Sequence, residues 1–406
     1  MEIRGIREPE LEETINLQCL IFRPDGHERY RQYTRGDSSY RYDQTRVVVV
    51  NGRIVATLRV WERSMRIGSC IIRIGGIGGV GTHPDCRGTG YATALMKDTI
   101  AYMRTAGYDL SVLFSAIPCE FYRKLGWASV PLAGFLVTRR RTIELDRTGW
   151  QVEPFDQDRD LEQVVALYDT YNAQQSGSLV RSRSYWDTAP ARLRCVLPSV
   201  IARRGNTLGG YLNFQIEGKR ANVLEVAADR TDPTILVALT DHLLHVCEEA
   251  GAEEICGDIP HPHPLVDLLI EGTGGDLLLT GNTSMMLYPV NLPVLLRHIR
   301  PDLQSRLDAS NQKFTPVSIC FEVNNQHAVL RLHDSGALQI FDTAEAAIRM
   351  ALPGRFFWRA LLGESSWNQL EPTLRARGIS VPAETSGLLS TLFPQQTVIF
   401  WGPDHY

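Results

Sequence analysis

The sequence has little of what marks membrane, nucleic-acid-binding or disulfide-rich proteins. No apolar run approaches the roughly 20 residues of a membrane-spanning helix. The 42 basic and 46 acidic residues give a net charge of −4, which gives no reason to expect nucleic acid as a partner. The eight cysteines are scattered without a CxxC pair or a Cys/His ligand spacing, so we expect reduced thiols and no metal site.

Other absences concern the compartment and the size of the protein. The first 15 residues are charged from residue 2 onward, unlike a secretory signal, and the cysteines fit a cytoplasmic protein. Hydrophobic residues make up 44% of the chain and charged residues 22%, which is ordinary for a globular protein. A chain of 406 residues is too long for one compact core, and two or three domains are expected.

A glycine-rich stretch over residues 74–93 is the most informative part of the chain. An apolar run ends at His83, a polar turn follows, and a good helix then begins. Gly88 and Gly90 allow the backbone of such a turn to approach a phosphate, and the free amides of a helix start attract anions. The turn lacks the lysine of one common phosphate loop and the third glycine of another, so an ordinary strand–helix turn is the alternative.

The order of predicted elements indicates an α/β fold. A helix over residues 9–21 precedes a hairpin with an Asn51–Gly52 turn, and a third strand leads into the glycine-rich turn. After a helix over residues 93–105 come a strand over 108–116 and a short helix over 119–125. This order predicts a parallel strand pair joined by a helical crossover.

A second stretch, residues 161–257, repeats this order of helix, strands, helix and strand. Acidic residues and no glycines stand where the first copy has its turn, so we interpret it as a degenerate copy without a coenzyme. The last part of the chain predicts a helix at 292–299, a three-strand meander, a helix at 343–352, further helices and a terminal strand at 397–401.

Two motifs resemble those of the GNAT superfamily of acyl-CoA N-acyltransferases. One is the turn Arg87-x-x-Gly90-x-Ala92, and the other is Phe121-Tyr122-Arg123-Lys124-Leu125-Gly126-Trp127. The whole organisation resembles the enhanced-intracellular-survival (Eis) type. The resemblance implies tandem GNAT domains at residues 1–148 (catalytic) and 149–290 (degenerate), followed by an α+β sterol-carrier-protein-like domain at 291–406.

The resemblance also implies where acetyl-CoA, as cosubstrate, would bind. The turn amides would hold its pyrophosphate, an open strand edge would pair with its pantetheine arm, and a backbone amide near Val80 would donate to the thioester oxygen. The implied coenzyme-binding residues are Val80, Gly81, Thr82, Arg87, Gly88, Thr89, Gly90, Tyr91, Ala92, Thr93, Ile117 and Pro118.

Tyr122 is the predicted general acid, because a phenol is protonated at neutral pH and can donate to a departing thiolate. A core aromatic is the alternative role. The resemblance implies that the terminal carboxylate, here that of Tyr406, serves as base, with Asp404, His405 and His83 as rivals. Cys119 is interpreted as a small buried hydrophobe and not a nucleophile.

These residues predict an acetyl-CoA-dependent N-acetyltransferase. Its acceptor would be a primary amine of a cationic small molecule, such as an aminoglycoside or polyamine, or a lysine side chain. The segment 23–46, with Asp25 and Asp37, is either a wall of the acceptor cleft or a solvated face. A non-catalytic acyl-CoA or lipid sensor using the C-terminal domain is the alternative function. The resemblance further implies a homohexamer with no nucleic-acid or membrane partner.

Overall fold

The computed structural model describes residues 1–115, 117, 119–145, 148–187 and 196–405. They form two compact units. Met1–Val130 and Thr283–Thr397 make the first unit, and Pro131–Asn282 and Val398–His405 make the second. The chain therefore leaves the first unit, completes most of the second, returns, and leaves again near its end. The domain limits predicted at residues 148 and 290 stay a prediction.

The first unit contains a mixed sheet in the order β1-β2-β3-β4-β5-β15-β6. Asn51 and Gly52 both have positive φ, 50° and 81°, as the turn of a tight hairpin requires, and the predicted hairpin is confirmed. The strands are β1 (Glu2–Gly5), β2 (Thr45–Val50), β3 (Arg53–Ile67), β4 (Cys70–Thr82), β5 (Leu110–Phe114), β6 (Ala128–Ser129) and β15 (Met285–Pro289).

Helix α3 connects β4 to β5, which pair in parallel as predicted. Its apolar stripe, Leu95, Met96 and Met103, is fully buried in the core of this sheet. The helices on this sheet are α1 (Leu11–Phe22), α2 (His27–Arg35), α3 (Tyr91–Thr105) and α4 (Glu120–Lys124). Among the described residues, no helix combines the length and the hydropathy needed to cross a bilayer.

Two strands lie in a different sheet from the one their sequence positions suggest. The strand that follows β6 in the chain is β7 (Leu132–Thr138), and it pairs with strands of the second unit. The first sheet is completed instead by β15, which lies between β5 and β6 in antiparallel register. Each sheet thus receives one strand from a distant part of the chain.

The second unit has a sheet in the order β14-β7-β13-β12-β11-β10-β8. Besides β7, its strands are β8 (Gln151–Pro154), β10 (Val200–Arg204), β11 (Thr207–Glu217), β12 (Arg220–Ala228), β13 (Glu254–Gly257) and β14 (Leu277–Asn282). The short strand β9 (Leu179–Val180) lies outside this sheet. The helices are α5 (Gln157–Asn172), α6 (Arg183–Asp187), α7 (Thr234–Glu249) and α8 (Pro264–Thr273).

This sheet repeats the parallel pair of the first, with β12 and β13 joined by α7. The turn before α7 carries its own anions. The Asp229 carboxylate accepts the N–H of Thr231 at 2.9 Å, and that of Asp232 accepts the N–H of Thr234 at 3.1 Å. Because these carboxylates already take amides at the helix start, the turn is poorly suited to a pyrophosphate.

The C-terminal part of the first unit has a four-stranded sheet in the order β18-β17-β16-β19. The predicted meander is confirmed as β16 (Val317–Val323), β17 (Gln326–Leu332) and β18 (Leu338–Phe341). The helix predicted at 343–352 is wrong, because Ile348–Ala351 is strand β19, parallel to β16. The helices are α9 (Leu292–Asp308), α10 (Gly354–Leu362), α11 (Trp367–Arg375) and α12 (Ala383–Leu392).

Candidate active site

The parallel pairing of β4 and β5 stops partway along β4. The register runs from Ile74↔Leu110 to Ile77↔Leu113, while β4 continues to Thr82. The edge of β4 beyond Ile77 therefore has no partner in β5, and we call this separation of the two strands the splay. An open strand edge offers backbone N–H and C=O groups that an extended ligand can pair with.

A bulge lies in the same part of β4. Gly79 and Val80 stand opposite one residue of β3, because the register shifts between Thr57↔Gly81 and Arg59↔Gly78. Gly79 has φ of +62°, which a glycine adopts without strain. The bulge re-aims the backbone at Val80, the position expected to supply a donor to the thioester oxygen.

The turn after β4 presents a continuous run of backbone donors. Among the described residues, none accepts a hydrogen bond from the amides of residues 88–93, and the first helical bond of α3 runs from Ala94 N to Gly90 O. Gly88 and Gly90 have φ of 78° and 85°, and nothing lies within 4 Å of where a Cβ would stand on either. These amides, at the positive end of α3, form a cradle for an anion.

The side chains of this turn leave the cradle accessible. Arg87 and Thr89 are exposed, and the Thr89 hydroxyl donates to the Cys86 carbonyl at 2.6 Å, which holds the turn in shape. Tyr91, at the first position of α3, packs against the apolar core. Ala92 and Thr93 follow in the first turn of the helix, where a small side chain keeps the amides open.

Tyr122 lies on α4 and is 8% exposed. It belongs to the same packed cluster as Ile77 and Leu113, the last paired residues before the splay. Burial, followed by the charge of Cys119, raises the pKa of its phenol. The protonated phenol of Tyr122 therefore packs in the same cluster as the residues at which β4 and β5 separate.

Several predicted residues are less informative. Ile117 is 55% exposed, and its carbonyl accepts from the Ser115 hydroxyl at 2.6 Å. Pro118 and Tyr406 lie outside the described residues, so their predicted roles stay predictions. Cys119 is a free, half-buried thiol that packs against the same apolar cluster.

Two of the three rivals for the base, His83 and Asp404, make contacts with other protein groups. His83 has Nε2 2.8 Å from Nη2 of Arg53, and its Nδ1 accepts the N–H of Asp85 at 3.3 Å. Asp404 is fully buried in the second unit and paired with Arg181 at 2.8 Å. His405 follows it in the same unit. These contacts favour structural roles for His83 and Asp404.

The two acidic candidates of segment 23–46 differ in their surroundings. Asp25 is exposed. Asp37 is 5% exposed and pairs with Arg59 at 2.7 Å and Arg63 at 3.1 Å. Although burial opposes it, the two guanidinium charges hold the pKa of Asp37 below its usual value. Asp37 is therefore already neutralised, and only Asp25 of this pair is available to a cation.

Sequence reasoning missed the part of α1 that covers the bulge. A Cβ on Gly81 would come within 2.7 Å of Ile21 and 3.2 Å of Phe22, and one on Gly79 within 3.1 Å of the Gln18 amide. Gln18, Ile21 and Phe22 repeat at helical spacing, but nothing in the sequence links them to residues some 60 positions later. In the structure the Phe22 ring is 50% exposed beside the bulge, so it is an apolar surface that a ligand could contact.

The first unit contains a stretch that matches a known protein family. Residues 2–130 match the family model described as an acetyltransferase (GNAT) domain. The match covers the splayed strand pair, the amide cradle and Tyr122. A comparison with curated protein sequences gave no match. Among the described residues, no group of three or more His, Cys, Asp or Glu side chains could hold a metal ion.

Solved structures resemble the whole chain at low sequence identity. A probable N-acyltransferase of unknown function from Enterococcus faecalis V583 has a TM-score of 0.77 and 16% identity, covering 100% of this chain and 99% of its own. A GCN5-related N-acetyltransferase from Anabaena variabilis has 0.73 and 14%, covering 98% of both chains. Eis1 from Mycobacterium abscessus has 0.68 and 15%, covering 100% of both. At these identities the likeness to the solved structures shows the fold alone. The family match shows that residues 2–130 are similar to an acetyltransferase (GNAT) domain.

Proposed function

We propose that the first unit transfers the acetyl group of acetyl-CoA to a primary amine. The observation that carries this proposal is the end of β4. The strand loses its parallel partner after Ile77 and then runs into a turn whose amides, residues 88–93, are unpartnered. An open strand edge followed by an anion cradle suits a long ligand with a diphosphate at one end and an amide-bearing arm at the other.

The residues present fit acetyl-CoA. The amides of residues 88–93 bind its diphosphate, assisted by the exposed Arg87. The backbone of Val80, Gly81 and Thr82 pairs with the pantetheine arm, with Ile117 beside it. When bound, acetyl-CoA supplies an acetyl group activated as a thioester.

Two protein groups act on the reacting atoms in this proposal. A backbone N–H at the Val80 bulge donates to the carbonyl oxygen, where negative charge develops as the amine nitrogen bonds to the carbonyl carbon. Tyr122 gives its phenolic proton to the sulfur as the carbon–sulfur bond breaks, which yields a neutral thiol. The resulting phenolate regains a proton from water.

The amine must also lose a proton. We propose that the carboxylate of Tyr406 attracts and positions the protonated amine, which gives one proton to water before its neutral nitrogen attacks. The carboxylate then takes the second N–H proton, released as the new carbon–nitrogen bond forms. This role rests on the resemblance to Eis-type enzymes, as does assembly into a homohexamer. It is consistent with the engagement of His83 and Asp404 in structural contacts.

The acceptor we propose is a cationic small molecule, such as an aminoglycoside or polyamine, or a lysine side chain. Asp25 supplies an exposed carboxylate, and the half-buried Tyr30 and Tyr33 supply aromatic faces. The segment that carries them follows α1, whose end covers the β4 bulge. We also propose that the C-terminal sheet and helices form a sterol-carrier-protein-like domain.

Tyr122→Phe tests the chemical role directly. Loss of the phenolic proton should lower kcat by roughly 10²- to 10⁴-fold, the usual contribution of a general acid, while the KM for acetyl-CoA stays nearly unchanged. Release of free thiol with a panel of amines measures both constants. Tyr288→Phe is the matched control, because Tyr288 packs against the same apolar cluster. Full activity in Tyr122→Phe would overturn the assignment.

The same assay separates the enzyme from the alternative sensor. An enzyme releases thiol when acetyl-CoA and a suitable amine are both present. A sensor binds the coenzyme and releases none with any amine of the panel. Tight binding without turnover, measured by calorimetry beside the thiol assay, would favour the sensor.

A further inference from the structure

A guanidinium group is completely buried between two carboxylates in the second unit. Arg181, Glu225 and Asp404 all have side chains that are 0% exposed. Arg181 contacts Asp404 through Nε and Nη2, at 3.0 and 2.8 Å, and contacts Glu225 through Nη1 at 3.0 Å and through Nη2. Burying three charges is unfavourable unless each is paired, so the geometry selects for a carboxylate at position 404.

Aromatic residues complete the surroundings of these charges. The hydroxyl of Tyr185 donates to Asp404 at 3.1 Å, and that of Tyr211 donates to Glu225 at 2.5 Å. Arg181 also lies 4.3 Å from the ring centre of Tyr168. The two buried carboxyl groups thus accept hydrogen bonds from a helix residue, Tyr185, a strand residue, Tyr211, and a loop residue, Arg181. We call Arg181, Tyr185, Glu225 and Asp404 the tail anchor.

Glu225 lies on β12 just after the point where β12 and β13 stop pairing. The parallel register of β12 with β13 ends at Val223↔Gly257, and the pairing of β12 with β11 shifts between Glu225 and Val223. The first sheet has the same two features at Ile77 and at the Gly79–Val80 bulge. Glu225 therefore stands just beyond the splay of its sheet, where the first sheet offers an open strand edge.

The segment Val398–His405 is attached to this unit at two further points. The N–H of Ile399 donates to the Ser176 carbonyl at 2.9 Å, and the Trp401 indole donates to Asn172 at 3.0 Å. Ile399 and Trp401 are each 1% exposed. The segment is therefore held as part of the unit's core by backbone, side-chain and charge contacts.

We propose that the second unit is a receptor for the chain's own C-terminal segment. Its splayed strand pair binds residues 398–405 through the tail anchor, and this segment takes the place that the acyl donor has in the first unit. One consequence rests on the proposed function. If the carboxylate of Tyr406 is the base, Asp404 is a positioning residue, because it fixes the chain close to its last residue.

Hydrogen exchange of the full chain tests the anchor. In Asp404→Ala, Arg181 keeps Glu225 as partner, so the fold should survive. Peptides covering residues 398–405 should exchange at least ten times faster, while β10–β12 stay protected. Asp160→Ala is the control, because it removes a buried carboxylate of the same unit that pairs with Arg203, and it should leave exchange of the tail unchanged. Unchanged tail exchange in Asp404→Ala, or equal opening of the whole unit, would overturn the proposal.

If Asp404→Ala folds poorly, a variant that removes less of the tail anchor tests the same proposal. Tyr185→Phe removes one hydrogen bond to Asp404 and should give a smaller increase confined to the same peptides. If Tyr185→Phe leaves tail exchange at the wild-type rate, the anchor is contradicted.

Coenzyme binding separates this inference from the proposed function. Calorimetry with acetyl-CoA should give one site per chain, since the second splay is filled. Two sites per chain would contradict the receptor, whereas none would contradict the proposed function and leave the exchange result standing. For the positioning role, Asp404→Ala should lower kcat several-fold without changing the KM for acetyl-CoA, and an unchanged kcat would remove that role.

Discussion

At the scale of single residues, burial decides the protonation state of the groups that matter most. Tyr122 is buried beside an apolar cluster, and this raises the pKa of its phenol. A phenol with a raised pKa keeps its proton across the alkaline range. The phenol of Tyr122 is thus protonated when the thiolate leaves and can donate its proton to the sulfur. Its higher pKa also makes this proton transfer less favourable.

The pH dependence of turnover follows from this direction. We expect kcat to rise with pH as the acceptor amine loses its proton, and to show no fall due to Tyr122 below about pH 10, the ordinary phenol value. Steady-state rates from pH 6 to 10 measure this. A falling limb near pH 8 that disappears in Tyr122→Phe would contradict the expected direction.

His263 gives a second prediction at this scale, and it concerns stability. Its Nδ1 accepts the N–H of Leu265 at the start of α8, and its Nε2 lies 2.7 Å from the Tyr171 hydroxyl. Burial, followed by the charge of Arg230, lowers the pKa of His263 to about 4. The unfolded chain therefore binds a proton more readily, and stability present above pH 6.5 is lost as the pH falls toward 4.

The size of that loss is roughly 3 kcal/mol, at about 1.4 kcal/mol for each pH unit of the shift. His263→Asn keeps a side chain that caps helices well and removes the titrating group. Denaturant unfolding at pH 7 and pH 4.5 should show a smaller loss in this variant than in the natural chain. Equal losses would assign the acid sensitivity to other groups.

At the scale of elements, local signals were predictable and non-local pairing was not. The Asn51–Gly52 hairpin and the turn before α3 depend on residues adjacent in sequence, and both were predicted. The helix predicted at 343–352 is in fact the strand Ile348–Ala351, because parallel pairing with β16 and the burial of Met350 outweigh a helical composition. The α1 cover over the β4 bulge was missed for the same reason.

The conformation of the turn before α3 should control the affinity for acetyl-CoA. Gly90→Ala should weaken acetyl-CoA binding, because φ of +85° costs a residue with a Cβ about 1–2 kcal/mol. The cradle would relax away from this conformation, and the KM for acetyl-CoA should rise about tenfold. Gly107→Ala is the matched control, since Gly107 follows the other end of α3 with φ of +76°.

The two variants should differ in binding and not in stability. Both impose a similar backbone cost, so their melting temperatures should fall by similar amounts. Only Gly90→Ala should raise the KM for acetyl-CoA. A tenfold rise in Gly107→Ala as well would mean that the position of α3, and not the cradle, controls binding.

At the scale of the whole molecule, the candidate site depends on short motifs, whereas the course of the chain between the units depends on pairing between distant strands. The amide cradle and Tyr122 come from two short motifs within one domain. The exchange of β7 and β15 leaves no local signal, because each strand has the same alternation whichever sheet receives it. The C-terminal part is also tied to the first sheet, where Asp302 accepts from the N–H and hydroxyl of Ser69 at 2.9 and 2.8 Å.

This exchange predicts how fragments behave. Residues 1–148 lack β15, whose Met286 and Leu287 are fully buried between β5 and β6. Without it, β5 has an exposed apolar edge and β6 has no partner, and such edges promote aggregation. A fragment of residues 1–148 expressed alone should therefore be insoluble or inactive, although it contains the cradle and Tyr122. The full chain, which contains both β15 and residues 398–405, is the comparison. Circular dichroism and acetyl-CoA binding measure both, and a folded 1–148 fragment that binds the coenzyme as well as the full chain would show that the first sheet does not need β15.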